Sequence, residues 1–145
     1  MTKNPLVETV MFEMTALGLS QMKLLNAHYD KHSFGDAEAL FQYGSLLFRF
    51  VRDRGQDFLD IAPTSEPDHF FQFDDVELAM GWKTIDEILS KKEPEGLKQL
   101  LVCVKENIKT LESVFSPERA AGTVALLEKI SKERGEEQLR KLKKK

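Results

Sequence analysis

One stretch constrains the fold more than any other. From Leu46 to Ala62, two runs of alternating residues flank the dipeptide Arg54-Gly55. This pattern reads as two strands, Leu46 to Asp53 and Gln56 to Ala62, joined by a two-residue turn. In that register Arg52 faces Asp57, Arg49 faces Asp60, Phe50 faces Leu59 and Phe48 faces Ile61. Charge then meets opposite charge and apolar meets apolar, which cross-strand energetics favour. A three-residue loop would shift the register by one and set Phe48 against Asp60, so the two-residue turn is expected. One face of the hairpin carries Leu46, Phe48, Phe50, Leu59 and Ile61 and is expected to meet helices. The other carries Leu47, Arg49, Val51, Phe58, Asp60 and Ala62. Being half apolar, it is expected either to lie under a terminal helix or to stay open for a partner.

The flanking sequence places this hairpin in an α+β architecture. Pro5 suits the first turn of a helix, and Val7, Val10, Met11, Met14, Leu17, Met22 and Leu25 follow at helical spacing. Gly18 breaks or bends that run, and His28 to Gly35 reads as a loop. Ala37 to Tyr43 and His69 to Phe73 are further strand candidates, set off by Gly44-Ser45 and by the stretch from Pro63 to Pro67. Asp74 or Asp75 is expected to cap a short helix, Val76 to Met80, stopped by Gly81. Thr84 to Glu87 reads as a capping box. Pro94 starts a long helix with Leu97, Leu100, Leu101, Val104, Ile108 and Leu111 on one stripe, and Ser116-Pro117-Glu118 starts the last. Strands grouped in the middle, with helices before and after, predict an antiparallel three- to four-stranded meander with an N-terminal helix and a helical C-terminal half. Residues 1–135 read as one domain, and 136–145 as a basic tail frayed beyond Gly135.

Length and composition close off several classes. A chain of 145 residues is the size of one ordinary domain. The single Cys103 rules out an internal disulfide framework and a multi-cysteine zinc site. No apolar run reaches the roughly 18 residues of a membrane helix, and Met1 to Glu8 lack the pattern of a secretion signal, so a cytoplasmic protein without membrane association is expected. The net charge is -3, but it is unevenly spread. Setting aside Arg140, Lys141, Lys143, Lys144 and Lys145 leaves the remainder near -8. An acidic body repels nucleic acid and steers basic partners.

Few residues carry a chemical signal. His28 and His32 are spaced for a shared metal on a helix, but Ser33-Phe34-Gly35 reads as loop and no second anchor accompanies them, so no metal or other cofactor is expected. Cys103 lies inside an apolar helix with no neighbouring base, which suits a small buried hydrophobe better than a nucleophile. Asp57 and Asp60 have Arg partners already. The cluster Phe70, Phe71, Phe73 and Trp82 is the least ordinary. Alternation sends Phe71 and Phe73 inward and leaves Phe70 for the half-apolar face, where an aromatic beside acids would anchor a partner. Phosphate-binding glycine loops, nucleophile elbows and kinase or deaminase signatures are absent from the sequence.

Ser33 to Ala37 and Leu47 to Ile61, with the string Phe50-Val-Arg-Asp-Arg-Gly-Gln56, resemble a group of small uncharacterised bacterial α+β proteins. The resemblance implies a bacterial source and no particular activity. In its acidity and lack of catalytic motifs the chain is also similar to immunity proteins of toxin systems. The expected function is therefore non-enzymatic: a bacterial protein, immunity-like in character, that binds a basic protein partner through its acidic sheet region. Arg49, Phe58, Asp60, Asp68 and Phe70 are the candidate binding residues. Two alternatives stay open. One is a small-ligand binder or enzyme with a pocket between sheet and helices, using Arg49, Asp60 and His69. The other is a structural or self-associating protein, a homodimer joined through an exposed strand edge.

Overall fold

The computed structural model describes residues 4–32, 35–91 and 95–143. Ser33 and Phe34 of the expected loop, Pro94 at the expected helix start, and Lys144 and Lys145 of the tail lie outside the described residues.

Helix α1 (Pro5–Ala16) opens at Asn4, whose side-chain oxygen accepts hydrogen bonds from the Leu6 and Val7 N–H groups at 3.0 and 3.2 Å. That satisfies two of the free donors at the helix start, and Pro5 supplies a preset φ. Leu6, Val10 and Met14 form its buried stripe. The helix does not continue to Leu25. Gly18 takes φ 78°, a left-handed conformation that ends the helical path. The chain resumes as strand β1 (Lys23–Asp30), where a helix end and a loop were expected.

The sheet is an antiparallel meander in the order β1-β2-β3-β4-β5, completed by β2 (Asp36–Tyr43), β3 (Leu46–Asp53), β4 (Gln56–Pro63) and β5 (Phe71–Gln72). The central register is the one the charges predict: Phe48 opposite Ile61, Arg49 opposite Asp60, Phe50 opposite Leu59 and Arg52 opposite Asp57. Both turn residues take positive φ, 53° at Arg54 and 81° at Gly55. This is the requirement of the tight turn whose twist matches the strands it joins. The last strand is shorter than His69 to Phe73, because Phe73 already begins a helix.

Among the described residues five helices follow: α2 (Phe73–Met80), α3 (Ile85–Ser90), α4 (Leu97–Glu106), α5 (Ile108–Val114) and α6 (Ala120–Lys143). Thr84 and Glu87 form the expected capping box on α3. The long helix divides at Asn107, whose side-chain amide donates to the Cys103 carbonyl at 2.8 Å. Helix α6 does not stop at Gly135; it runs on to Lys143.

Helices and sheet enclose one core. Ala39, Phe41, Phe48, Phe50, Leu59 and Ile61 of the sheet meet Leu6 and Val10 of α1, Leu101 and Val104 of α4, and Leu127 of α6. Phe41 and Phe50 sit edge-to-face, 5.8 Å between centroids and 83° apart in plane, the geometry aromatic quadrupoles prefer.

Asp75 has a different task from the expected helix cap. It is 1% exposed and accepts hydrogen bonds from Arg134 Nε and Nη2 at 2.6 and 3.3 Å. Nη2 also reaches the Gln72 side-chain oxygen at 3.3 Å. This fork ties the middle of α6 to the start of α2, and the hydrogen bond to Asp75, with its charge in support, keeps the Arg134 guanidinium protonated still more firmly than usual against the opposing effect of burial. Removing one partner of a buried pair strands the other charge. Arg134→Ala is therefore expected to cost about 3–5 kcal/mol, against less than about 0.5 kcal/mol for Lys132→Ala on the exposed side of the same helix. Urea unfolding of the two variants measures the difference, and equal losses would contradict the anchoring role.

Candidate functional site

The sheet has two faces with different fates. The face bearing Phe48 and Phe50 is consumed by the core. The opposite face is closed at one end and open at the other. Leu47 and Ala62 are buried at 6% and 0% exposure, whereas Phe58 keeps 39%. Beside the closed end the chain turns back after β4: the Thr64 N–H donates to the Ser45 carbonyl at 2.9 Å. The Phe70 ring then settles 4.1 Å from the Arg49 guanidinium carbon. A guanidinium over an aromatic face gains roughly 0.5–1 kcal/mol at a partly exposed site.

Arg49 is the hub of this face. Its Nη2 and Nε donate to Asp60 Oδ2 at 2.8 and 3.3 Å, and Glu38 Oε1 on β2 lies 3.9 Å from Nε. A charged row thus crosses three strands, with Phe70 stacked above it. Of the predicted residues, Arg49, Asp60 and Phe70 are brought together. Phe58 stands on the same face toward the hairpin turn. Asp68 is exposed in the returning segment, apart from this row. Of the trio Arg49, Asp60 and His69, which an enzyme or ligand site would use, Arg49 and Asp60 pair with each other, while His69 Nδ1 lies 3.4 Å from Glu128 of α6.

The open face is acidic. By strand alternation it carries Asp30, Asp36, Glu38, Asp53 and Asp60 against Lys23 and Arg49. Asp36 accepts the Arg54 N–H at 2.9 Å, which also pins the turn. Asp53 is exposed, without an ion-pair partner among the described residues. Near the turn a groove of about 460 Å³ wraps over the β4 edge. Its apolar floor is Leu59, Phe73, Ile88 and Leu100, and Phe58 and Asp60 stand at its side.

Other chemistry-bearing groups do not form a reactive centre. Among the described residues no group of three or more His, Cys, Asp or Glu side chains is arranged to hold a metal, and no helix is long and apolar enough to cross a membrane. Burial pushes the Cys103 thiol up, and the negative charge of Glu77 adds to this, so the thiolate a nucleophile needs is disfavoured. Sequence reasoning missed Glu77 itself. It is 2% exposed, its Oε2 lies 3.1 Å from Lys83 Nζ, and Lys83 also holds Glu95. Burial raises the Glu77 carboxyl above its ordinary range while Lys83 opposes the rise. Its position in a short run with Phe73 and Val76 gave no local sign of burial.

Comparison with family models, with curated proteins and with solved structures finds no match.

The Arg49–Asp60 contact is the sequence-derived element most open to test. Both side chains are partly exposed, 34% and 18%, so the pair is expected to contribute about 0.5–1 kcal/mol. Arg49→Asp and Asp60→Arg, singly and together, form a double-mutant cycle by urea unfolding. A favourable coupling of that size is expected, with the double reversal more stable than the sum of the singles requires. Zero coupling would show that the two charges do not stabilise the hairpin through each other.

Proposed function

We propose that this protein is a non-enzymatic, cytoplasmic, bacterial protein-binding protein that holds a basic protein partner against the open face of its sheet. An immunity-like role, in which a basic toxin is the partner, is the most specific form of this proposal. The observation that carries it is the exposure of Phe58 on a face ringed by carboxylates. A large aromatic with polar surroundings is the usual anatomy of a binding anchor. The excess of acid around it favours rapid encounter with a basic surface.

The alternatives have less support. A groove of about 460 Å³ falls within the size range of small-ligand sites. However, the cationic and imidazole groups such a site was expected to use point to separate partners. Self-association through the outer edge of β1 meets two obstacles. The strand carries a bulge between Leu24 and Asn26, and Asn4 Nδ2 donates to the His28 carbonyl at 3.0 Å. Bulges and occupied edge groups are the devices by which edge strands avoid pairing.

The test is a photo-crosslinking residue placed at Phe58 in the native host, with the same residue at Lys98 of α4 as control. Crosslinking of a basic protein from Phe58 alone is expected. Association of the purified pair is expected to slow as salt rises, and Asp53→Lys to reduce the rate several-fold at low salt while shifting stability by less than about 0.5 kcal/mol. Nucleic acid as the crosslinked species, or a rate indifferent to salt, would defeat the proposal.

A further inference from the structure

Strand β5 pairs with β4 only at Asp60 and Ile61. The first half of β4, Gln56 to Leu59, therefore has no strand on its outer side among the described residues. A stretch of unpaired backbone donors and acceptors is a template for another strand. Here the template runs alongside a groove with an apolar floor, formed by Leu59 of the strand itself and by Phe73, Ile88 and Leu100 of the facing helices. These four side chains are all under 10% exposed, so the floor is the edge of the packed core.

The rim supplies the charge argument. Asp53, Asp57, Asp74 and Glu95 line the groove. The cations that pair with two of them stand outside it: Arg52 donates to Asp57 at 2.7 and 3.0 Å, and Lys83 holds Glu95. Lys91, 2.8 Å from Asp74, is the one cation lining the groove among the described residues. Carboxylates thus front the groove and most of their counter-ions back it. A carboxylate has lone pairs enough for a second donor beyond its first partner.

We propose that this groove takes an extended basic segment of the partner as a sixth strand on β4, residues 56–59. This rests on the protein-binding function above and specifies how the partner is held. Main-chain hydrogen bonds to β4 supply the pairing. Alternate side chains of the guest strand point to opposite sides, so apolar residues reach the floor while the intervening Lys or Arg residues reach the open face, where Asp53 and Asp60 line the groove. This is strand addition, a recurrent mode of peptide capture.

The probe is a pool of seven-residue peptides with Lys or Arg alternating with apolar residues. An acidic pool of the same pattern and an N-methylated form of the tightest basic peptide complete the set. Isotope-labelled full-length protein is titrated with each and followed by backbone amide shifts and exchange. The basic pool is expected to shift the amides of Asp57, Phe58 and Leu59 and to protect those of Asp57 and Leu59, whose N–H groups point away from β3, and the acidic pool to leave them unchanged. N-methylation at alternate amides removes backbone donors while keeping charge and side chains, and is expected to weaken binding by about tenfold or more. Because the change is on the peptide, folding of the protein is not in question. Equal binding of the methylated form, or shifts confined to Arg49 and Phe70, overturns strand addition and leaves the open-face function standing. No preference for basic over acidic peptides overturns it as well. Failure of the Phe58 crosslink in the host, by contrast, removes the broader function whatever the peptides do.

Discussion

Phe41, Phe48 and Phe50 crowd one face of neighbouring strands and are each no more than 1% exposed. Almost everything else follows from that choice. Each buried aromatic is worth several kcal/mol against truncation, so a one-residue slip of register, which would turn them all to water, is prohibited. The helices are drawn to this face because it is where their own apolar stripes find partners. The opposite face is thereby released from the duty of stabilising the fold. It keeps Phe58 half in water and arranges Glu38, Arg49 and Asp60 as a charged row. The proposed binding function rests on this division between a face that folds and a face that is left over.

Charge performs two separate tasks in the molecule. Inside, Arg134 and Asp75 fix α6 against α2, and Lys83 bridges Glu77 and Glu95. These are committed groups, costly to disturb. On the sheet surface the ion pairs are partly solvated and individually weak. Their value lies in the field they leave: carboxylates toward the groove and the hairpin turn, cations behind. The basic end of α6 is partly engaged too, since Lys141 lies 3.1 Å from Asp86 and Arg140 2.6 Å from Glu137. The separation of an acidic face from a basic helix end is visible in the sequence only as a charge run at the C-terminus.

The central hairpin was legible because three independent signals agree there. Turn chemistry at Arg54-Gly55, charge pairing and apolar pairing all require the same register. Strand β1 was not legible, for a physical reason. As an edge strand its first six residues are exposed, so it has no apolar alternation, and its bulge at Leu25 breaks the period of two. Leu17, Met22 and Leu25 meanwhile fit a helical spacing that Gly18 interrupts. The task of Asp75 was hidden because its partner lies 59 residues away, and an acid at a helix start has a cheaper local explanation. Of the candidate site, Arg49, Asp60 and Phe70 were readable from alternation. The groove was not, because it depends on how far β5 extends, and a two-residue strand leaves almost no mark in a sequence.

Phe48 and Phe58, ten residues apart on one hairpin, have different tasks: Phe48 is buried and holds the fold, whereas Phe58 is exposed and is the proposed anchor for a partner. Urea unfolding of Phe48→Ala and Phe58→Ala measures this directly. A loss of about 3–5 kcal/mol is predicted for Phe48→Ala, the cost of a large cavity in a packed core. For Phe58→Ala a loss of about 1 kcal/mol or less is predicted, the scale of a strand-surface preference. Comparable losses at the two positions would contradict this division, because Phe58 would then be ordinary core and the open face would have no anchor.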